Sequence, residues 1–223
     1  MTKYKYLIFS DVHLGSKVTQ SEKLIQVLKT VAAETIIING DLIDINHTNR
    51  LNKKDWEILS ILRKLSKSSR VIYISGNHDD KIYEMISELL GFEHFKNFQF
   101  TINKKLYHIT HGDIFDSFIS KYNLITEIAT TIYYIIQRFS TKKQILARAI
   151  KRRSKNFIKC CEKIRNRALT YIKSNNINCI ILGHTHHKEL SKNKEYVNCG
   201  CFTETECSYV TIDENGDLLL NSI

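Results

Sequence analysis

Proline is absent from all 223 residues and tryptophan occurs once. The first absence excludes rigid proline-rich linkers. No membrane-spanning helix is expected either: the uncharged stretch between Glu127 and Arg138 is ten residues, against the ~20 that a span requires. Met1 to Lys5 leads straight into an apolar run, so no signal peptide is expected. Six cysteines occur, at 160, 161, 179, 199, 201 and 207. Cys199-Gly200-Cys201 has no second pair at zinc-ribbon spacing, so the expectation is reduced, buried thiols. Acidic residues are scarce in one segment. Between Arg138 and Lys173 thirteen Lys/Arg face a single acid, Glu162, giving +12, while the rest of the chain carries −2. That asymmetry suggests an anionic partner such as a phospholipid surface, nucleic acid or a phosphorylated substrate, or else a solvated helical face.

What is present is ordinary in bulk and patterned in detail. At 43% hydrophobic and 25% charged, the composition is that of one globular domain, long enough to bury roughly 70–75% of its unfolded surface. The organising stretch is Thr35-Ile36-Ile37-Ile38-Asn39-Gly40-Asp41-Leu42-Ile43-Asp44, a β-branched run that reads as a strand buried on both faces and ends in a turn bearing a carboxylate. The plan recurs at Leu7 to His13, Val71 to Asp79, Leu106 to Asp113 and Cys179 to His186. Five apolar strands thus each deliver Asp, Asn or His at their C-terminal ends, the edge where open α/β sheets bind ligands.

Helices are expected at about Ser21 to Ala33, with Leu24, Ile25, Val27, Leu28 and Val31 inward, and from an Asn52 cap to about Leu65, with Trp56, Leu59, Leu62 and Leu65 inward. A short helix from Asp80 to Leu90 stops at Gly91. Phe98–Ile102 and Lys105–Thr110 read as a hairpin around Asn103-Lys104, and the last third of the chain reads as β, ending in a hairpin through Asp213 to Gly216. Alternating β and α units followed by β implies an α/β fold: a two-sheet sandwich flanked by helices. Phe118, Tyr122, Ile125, Ala129, Ile132, Ile136 and Phe139 recur at helical spacing and read as an amphipathic helix inside an insertion. The expected division is a core of residues 1–116 and 158–223, with a helical cap at 117–157.

Asp11, His13, Asp41, Asn77, His111, His184 and His186 form a set of oxygen and nitrogen ligands without thiolate, suited to hard or borderline divalent metals. Shared between two ions, with Asp41 bridging through its two oxygens, they give each ion about four protein ligands. Two-metal sites of this kind clamp both oxygens of a displacement at phosphorus and generate hydroxide near neutral pH. No serine or cysteine nucleophile is signalled. His47, His94, His108 and His187 carry blander readings: His108 structural, His94 at the surface, His47 and His187 in loops beside the site.

In order along the chain, Asp11-Val12-His13, Gly40-Asp41, Gly76-Asn77-His78-Asp79, His111 and Gly183-His184-Thr185-His186 resemble the motif series of the calcineurin-like metallophosphoesterases. The resemblance implies a four-layer αββα sandwich. It implies Asp11, His13, Asp41 and His186 on one metal, and Asp41, Asn77, His111 and His184 on the other, with Mn2+ as the expected ion. It further implies that His78 stabilises the transition state or protonates the leaving group, oriented by Asp44. Within that superfamily the length, the insertion after His111-Gly112-Asp113 and Gly40-Asp41-Leu42-Ile43-Asp44 are most similar to the UDP-2,3-diacylglucosamine diphosphatases of lipid A synthesis. Those enzymes split a lipidated sugar nucleotide into UMP and a lipid sugar 1-phosphate. An apolar helix beside Lys142, Lys143, Arg148, Lys151, Arg152, Arg153 and Lys155 fits an interfacial protein. Arg152, Arg153, Lys155 and Asn156 are candidates for gripping a diphosphate. The expected location is cytoplasmic, with peripheral contact at the inner face of the cell membrane. The competing readings are the same chemistry on another phosphodiester or nucleotide, and a basic nucleic-acid-binding or nuclease-like protein. Few aromatics interleave the basic segment (Phe139, Phe157, Tyr171), which disfavours a single-strand stacking platform.

Overall fold

Both faces of the central strands are apolar, and the fold covers both. The structure is a computed structural model that describes residues 4–44, 51–116 and 155–223. Four parallel strands, β1 (Tyr4–Phe9), β2 (Ala33–Asn39), β3 (Arg70–Ile74) and β4 (Glu93–Phe95), form the parallel part of a six-stranded sheet. A second sheet contains β5 (Asn97–Ile102), β6 (Lys105–Thr110), β7 (Cys179–Leu182), β8 (Glu189–Leu190) and β9 (Tyr196–Asn198), in the order β5-β6-β7-β9-β8. The chain then returns to the first sheet with β10 (Ser208–Ile212) antiparallel to β1 and β11 (Leu218–Ser222) at its edge, giving β11-β10-β1-β2-β3-β4. Helices α1 (Ser21–Thr30), α2 (Lys53–Leu65) and α3 (Tyr83–Leu90) pack on the first sheet, and α4 (Lys155–Ser174) on the second.

The period-two alternation of a strand sorts the side chains into three cores. Leu7, Phe9, Ile36, Ile38, Val71 and Tyr73 point outward to Leu24, Val27, Ile58 and Leu62 of the helices. Their neighbours Tyr6, Ile8, Ile37, Ile72 and Ile74 point inward to Tyr107, Ile109, Ile181 and Val197 of the second sheet. On its far face that sheet offers Ile180, Leu182 and Tyr196 to Ile164, Ala168 and Ile172 of α4. The result is the expected mixed α/β arrangement of two sheets between helices.

Local chemistry explains most boundaries. Asn52 caps α2 by accepting from Lys54 and Asp55 N–H, and Asp55 accepts from the Asn52 N–H in return, a closed capping box. Gly91 ends α3 in the left-handed conformation (φ 68°). Asn103 and Lys104 both take left-handed φ (48° and 65°) in the expected β5–β6 hairpin, as a two-residue primed turn requires. Several expectations are corrected. Trp56 faces solvent, 59% exposed, and Ile58 occupies the inner face beside Leu59 and Leu62. Trp56 lies half a helical turn from Ile58, so only one of them can face the sheet. Helix α1 stops at Thr30 because Ala33 already starts β2. Helix α3 starts at Tyr83, not Asp80, with the Asp79 carbonyl accepting from Ile82 and Tyr83 N–H. Strand β4 and helix α4 have no counterpart among the expected elements.

Of the expected cap at 117–157, residues 117–154, with the helix at 118–139 and with Arg152 and Arg153, lie outside the described residues, as does His47; of Lys155 and Asn156, in the first turn of α4, only the backbone is described. No described helix is long and apolar enough to cross a membrane. The six cysteines, all among the described residues, form no disulfide, and five are buried.

Candidate metal centre

The strands end where their apolar runs end, and the next residues turn sharply. Asp11 and His13 after β1, Asp41 after β2, and His184 and His186 after β7 all have left-handed backbones, with φ 53°, 51°, 52°, 64° and 59°. A non-glycine residue in that region is uncommon, and Asp and His are among the few side chains enriched there. Five such residues at one rim amount to strain gathered at a single place, which points to function. Two glycines make the crowding possible. Gly40 (φ 82°) leaves room for the His111 ring, and Gly183 for Ser10 and the Asp11 carboxylate; a Cβ at either would overlap those groups.

The turns bring the seven candidate ligands together. Asp11 Oδ1 lies 3.1 Å from His186 Nε2 and 3.9 Å from His13 Nε2. Asp41 Oδ2 lies between two imidazoles, 3.5 Å from His13 Nε2 and 3.4 Å from His111 Nε2. His184 Nδ1 faces Asn77 Oδ1 at 3.1 Å, and the His184 and His111 rings are 5.3 Å apart. Ligand atoms of Asp11, His13 and His186 lie mutually within 4.8 Å, as do those of Asp11, Asp41 and His111, and of His13, Asp44 and His78. The two carboxylates at the centre are buried, whereas the His186 and His78 side chains are 27% and 25% exposed. The site therefore opens on the side of those two rings.

Burying this much charge costs several kcal/mol per ion unless each charge is compensated. The balance is visible in the titrating groups. Burial pushes Asp11 upward, but His186 and His111 outweigh it and hold its carboxyl down at about 2. Asp41 is likewise held well below the usual carboxylate range, burial being overcome by His111 and His78. Burial depresses His13 to about 3. His186 goes the other way: burial opposes its charge, yet Asp11 and Cys201 raise it to about 10.

The donor set fits divalent cations. His111 Nε2 and Asp11 Oδ1 are fully buried and meet no hydrogen-bond partner of proper geometry among the described residues, so their lone-pair and ion-pair contacts leave room for a cation to satisfy them. His184 Nδ1 and Asn77 Oδ1, both able to present a lone pair to a cation, lie 3.1 Å apart.

Around the ligands lies a set of contacts that aims them. His111 Nδ1 donates to the Asn39 carbonyl at 2.9 Å, and the Asn39 side chain is anchored by the Thr110 carbonyl at 3.1 Å. His186 Nδ1 meets Thr203 Oγ1 at 3.1 Å. The Asp11 carboxylate accepts from His184 N–H at 2.9 Å, and Asp41 Oδ1 from His78 N–H at 2.9 Å. Asp79 ties two loops together, accepting from Leu42 N–H at 2.8 Å, Gly76 N–H at 2.7 Å and the Tyr73 hydroxyl. Asp44 Oδ1 is 3.8 Å from His78 Nδ1. Asn39, Asp79, Asp116 and Thr203 were not singled out from sequence. Two of them had a signal: Asp79 its place in Gly76-Asn77-His78-Asp79, and Asn39 its place at the end of the Ile36-Ile37-Ile38 run.

Of the other histidines, His108 is buried and accepts from Gln99 Nε2 at 2.9 Å. His187 is exposed beside Phe157, at the mouth of a shallow cleft that also includes Arg165 and Glu189.

Comparison with known proteins places these motifs. The model of the calcineurin-like phosphoesterase family matches residues 4–188. Among curated proteins, none matches the chain. Among solved structures the chain is similar to an archaeal phosphodiesterase (15% identity, 98% of this chain and 99% of that one, TM-score 0.49). It is similar also to Yfce, a phosphoesterase from E. coli (17%, 98% and 97%, TM-score 0.49), and to the zinc complex of Vps29 from Entamoeba histolytica (13%, 98% and 97%, TM-score 0.48).

Proposed function

We propose a substrate class for this chain on the footing that it belongs to the calcineurin-like phosphoesterase family and is a metal-dependent phosphohydrolase. The reading is hydrolysis of a phosphodiester or pyrophosphate bond over two divalent ions. One ion is assigned to Asp11, His13, Asp41 and His186, the other to Asp41, Asn77, His111 and His184. The single observation that carries it is the convergence of Asp11, Asp41, His13, His111 and His186 from four strand ends. When bound, the ions supply Lewis acidity toward phosphoryl oxygens and lower the pKa of water enough for it to attack.

The chain's own residues do the rest. Asp41 presents one oxygen midway between His13 and His111, the position from which a single carboxylate can serve both halves. His78 stands at the open side of the site, with Asp44 at its Nδ1, so Nε2 is the atom placed to deliver a proton to a departing oxygen. Asp44 holds that ring in orientation and favours its charged form. The buried walls exclude water from Asp11, Asp41 and His111.

The finer reading is the pyrophosphate of UDP-2,3-diacylglucosamine, cleaved to UMP and a lipid sugar 1-phosphate at an anionic membrane surface, with Mn2+ as the working ion. It is supported by the sequence resemblance and by the cationic segment from Arg138 to Lys173. Lys159, Lys163 and Lys173 are exposed along α4, and Lys159 adjoins an exposed Ile158; each cation near an anionic leaflet contributes about 1 kcal/mol. His78 stands where those diphosphatases often carry arginine, so the test sets substrates against each other. The Mn2+-loaded chain is assayed on UDP-2,3-diacylglucosamine, on an aryl phosphodiester and on single-stranded DNA. Preferential release of UMP supports the lipid reading. Preference for either other substrate removes it while leaving the phosphohydrolase intact.

A further inference from the structure

His184 is held from both sides, and the two contacts are not equivalent. Nδ1 faces Asn77 Oδ1 at 3.1 Å and Nε2 faces Asp116 Oδ2 at 3.2 Å. Asp116 follows the short 3-10 turn Asp113–Phe115 and donates its N–H to the Asp113 carbonyl at 2.9 Å. That turn is fastened to the second sheet's outer core by the buried Phe115 ring, and to α4 by Arg167, which donates to the Phe115 carbonyl at 2.9 Å. The Asp116 carboxylate is therefore presented by a locked turn.

We propose that Asp116 is a positioning residue: its carboxylate fixes the Nε2–H tautomer of His184 and so turns the Nδ1 lone pair toward Asn77 as a metal ligand. The argument is one of proton count. A neutral imidazole has one N–H and one lone pair, and an ionised carboxylate only accepts. A hydrogen bond to a charged acceptor is roughly twice as strong as one to a neutral amide oxygen, so the proton goes to Nε2. Nδ1 and Asn77 Oδ1 are then two acceptors that a cation can engage together. A carboxylate behind a metal-binding imidazole also strengthens it as an electron-pair donor. The other half of the site is built differently, since His186 has the neutral Thr203 hydroxyl at its far nitrogen. The effect of Asp116 is accordingly confined to the ion at His184. This inference rests on the two-ion reading above.

The test uses the full chain and two readouts. In metal-free, nitrogen-15-labelled protein, long-range proton–nitrogen correlations of the His184 ring are expected to report the Nε2–H tautomer. Asp116→Asn is expected to donate its amide to Nε2, move the proton to Nδ1 and thereby block the ligand, as replacing the orienting aspartate by asparagine does in serine proteases. In calorimetric titration with Mn2+, that variant loses ~10–100-fold in affinity for one of two ions and keeps the other. Asp116→Ala, which leaves the tautomer unpinned, loses less. A filler role predicts the reverse order, with the isosteric Asn milder than Ala, and that order overturns the proposal. So does an Nδ1–H tautomer in the unsubstituted chain, which needs no variant to fold. A chain that takes up no Mn2+ at all sinks the two-ion reading instead, and the tautomer, read without metal, tells the two failures apart.

Discussion

The two sheets contribute unequally to one rim: the carboxylates among the seven candidate ligands come only from the six-stranded sheet, and imidazoles come from both. The six-stranded sheet sends Asp11, Asp41 and Asp44 from the ends of β1 and β2, together with His13 and the Asn77-His78 pair. The five-stranded sheet sends imidazoles, His111 from β6 and His184 and His186 from β7. Carboxylates thus meet imidazoles across the seam between the sheets, at 3.1 Å for Asp11–His186 and 3.4 Å for Asp41–His111. Two of the three clusters of potential ligands, Asp11-His13-His186 and Asp11-Asp41-His111, draw on both sheets. The lesson is that the apolar layer between them, far from any ligand, sets the ligand distances, because interiors are close-packed and transmit displacement.

That comparison can be broken from the largest effect downward. Asp41→Ala removes the carboxylate oxygen that stands about equally far from His13 of one sheet and His111 of the other. Turnover is expected to vanish and bound metal to fall, measured by phosphoester hydrolysis and metal content on protein with unchanged circular dichroism; residual turnover would show another residue serving both halves. His78→Ala removes the proton donor and keeps the ligands, and a ~10²–10⁴-fold loss in kcat is expected. A change in KM alone would place His78 outside the chemistry. Ile37→Ala opens a hole in the layer between the sheets. Its expected cost is about 2–5 kcal/mol in denaturant unfolding, with metal affinity falling alongside; loss of stability with metal affinity intact would uncouple the rim from the layer beneath. Burial holds the pKa of His108 down, so its neutral form is favoured in the folded state. Stability of the metal-free chain should fall as pH drops below about 6.5, the unfolded histidine value. His108→Gln is expected to reduce that slope, leaving the part due to His13, which burial also depresses. Trp56→Ala, on the exposed side of α2, should shift stability by no more than about 0.5 kcal/mol.

Much of this was legible along the chain because strands buried on both faces announce themselves as unbroken apolar runs. All five runs became strands, and the polar residues closing them lie at one rim. Legibility failed where a segment's local pattern was weak. Strand β4, Glu93-His94-Phe95, is three residues long and mixed in character, and is a strand only because β3 lies beside it. Helix α4 was hidden within a run of cations, although Ile164, Ala168 and Ile172 recur at helical spacing along its buried side. Trp56 reads as core by its chemistry, yet the register of α2 set by the Asn52 cap turns Ile58 inward.

By itself the sequence determined which side chains could bind a metal and that each closes an apolar strand, since residue type and period are local properties. Only the tertiary structure decided that Asp116 stands behind His184, Thr203 behind His186 and the Asn39 carbonyl behind His111. Those partners are 68, 17 and 72 residues away in the chain, and no spacing rule links them. They meet because two separately patterned sheets bury their inner faces against each other, and that packing chooses which polar atoms come within hydrogen-bonding reach.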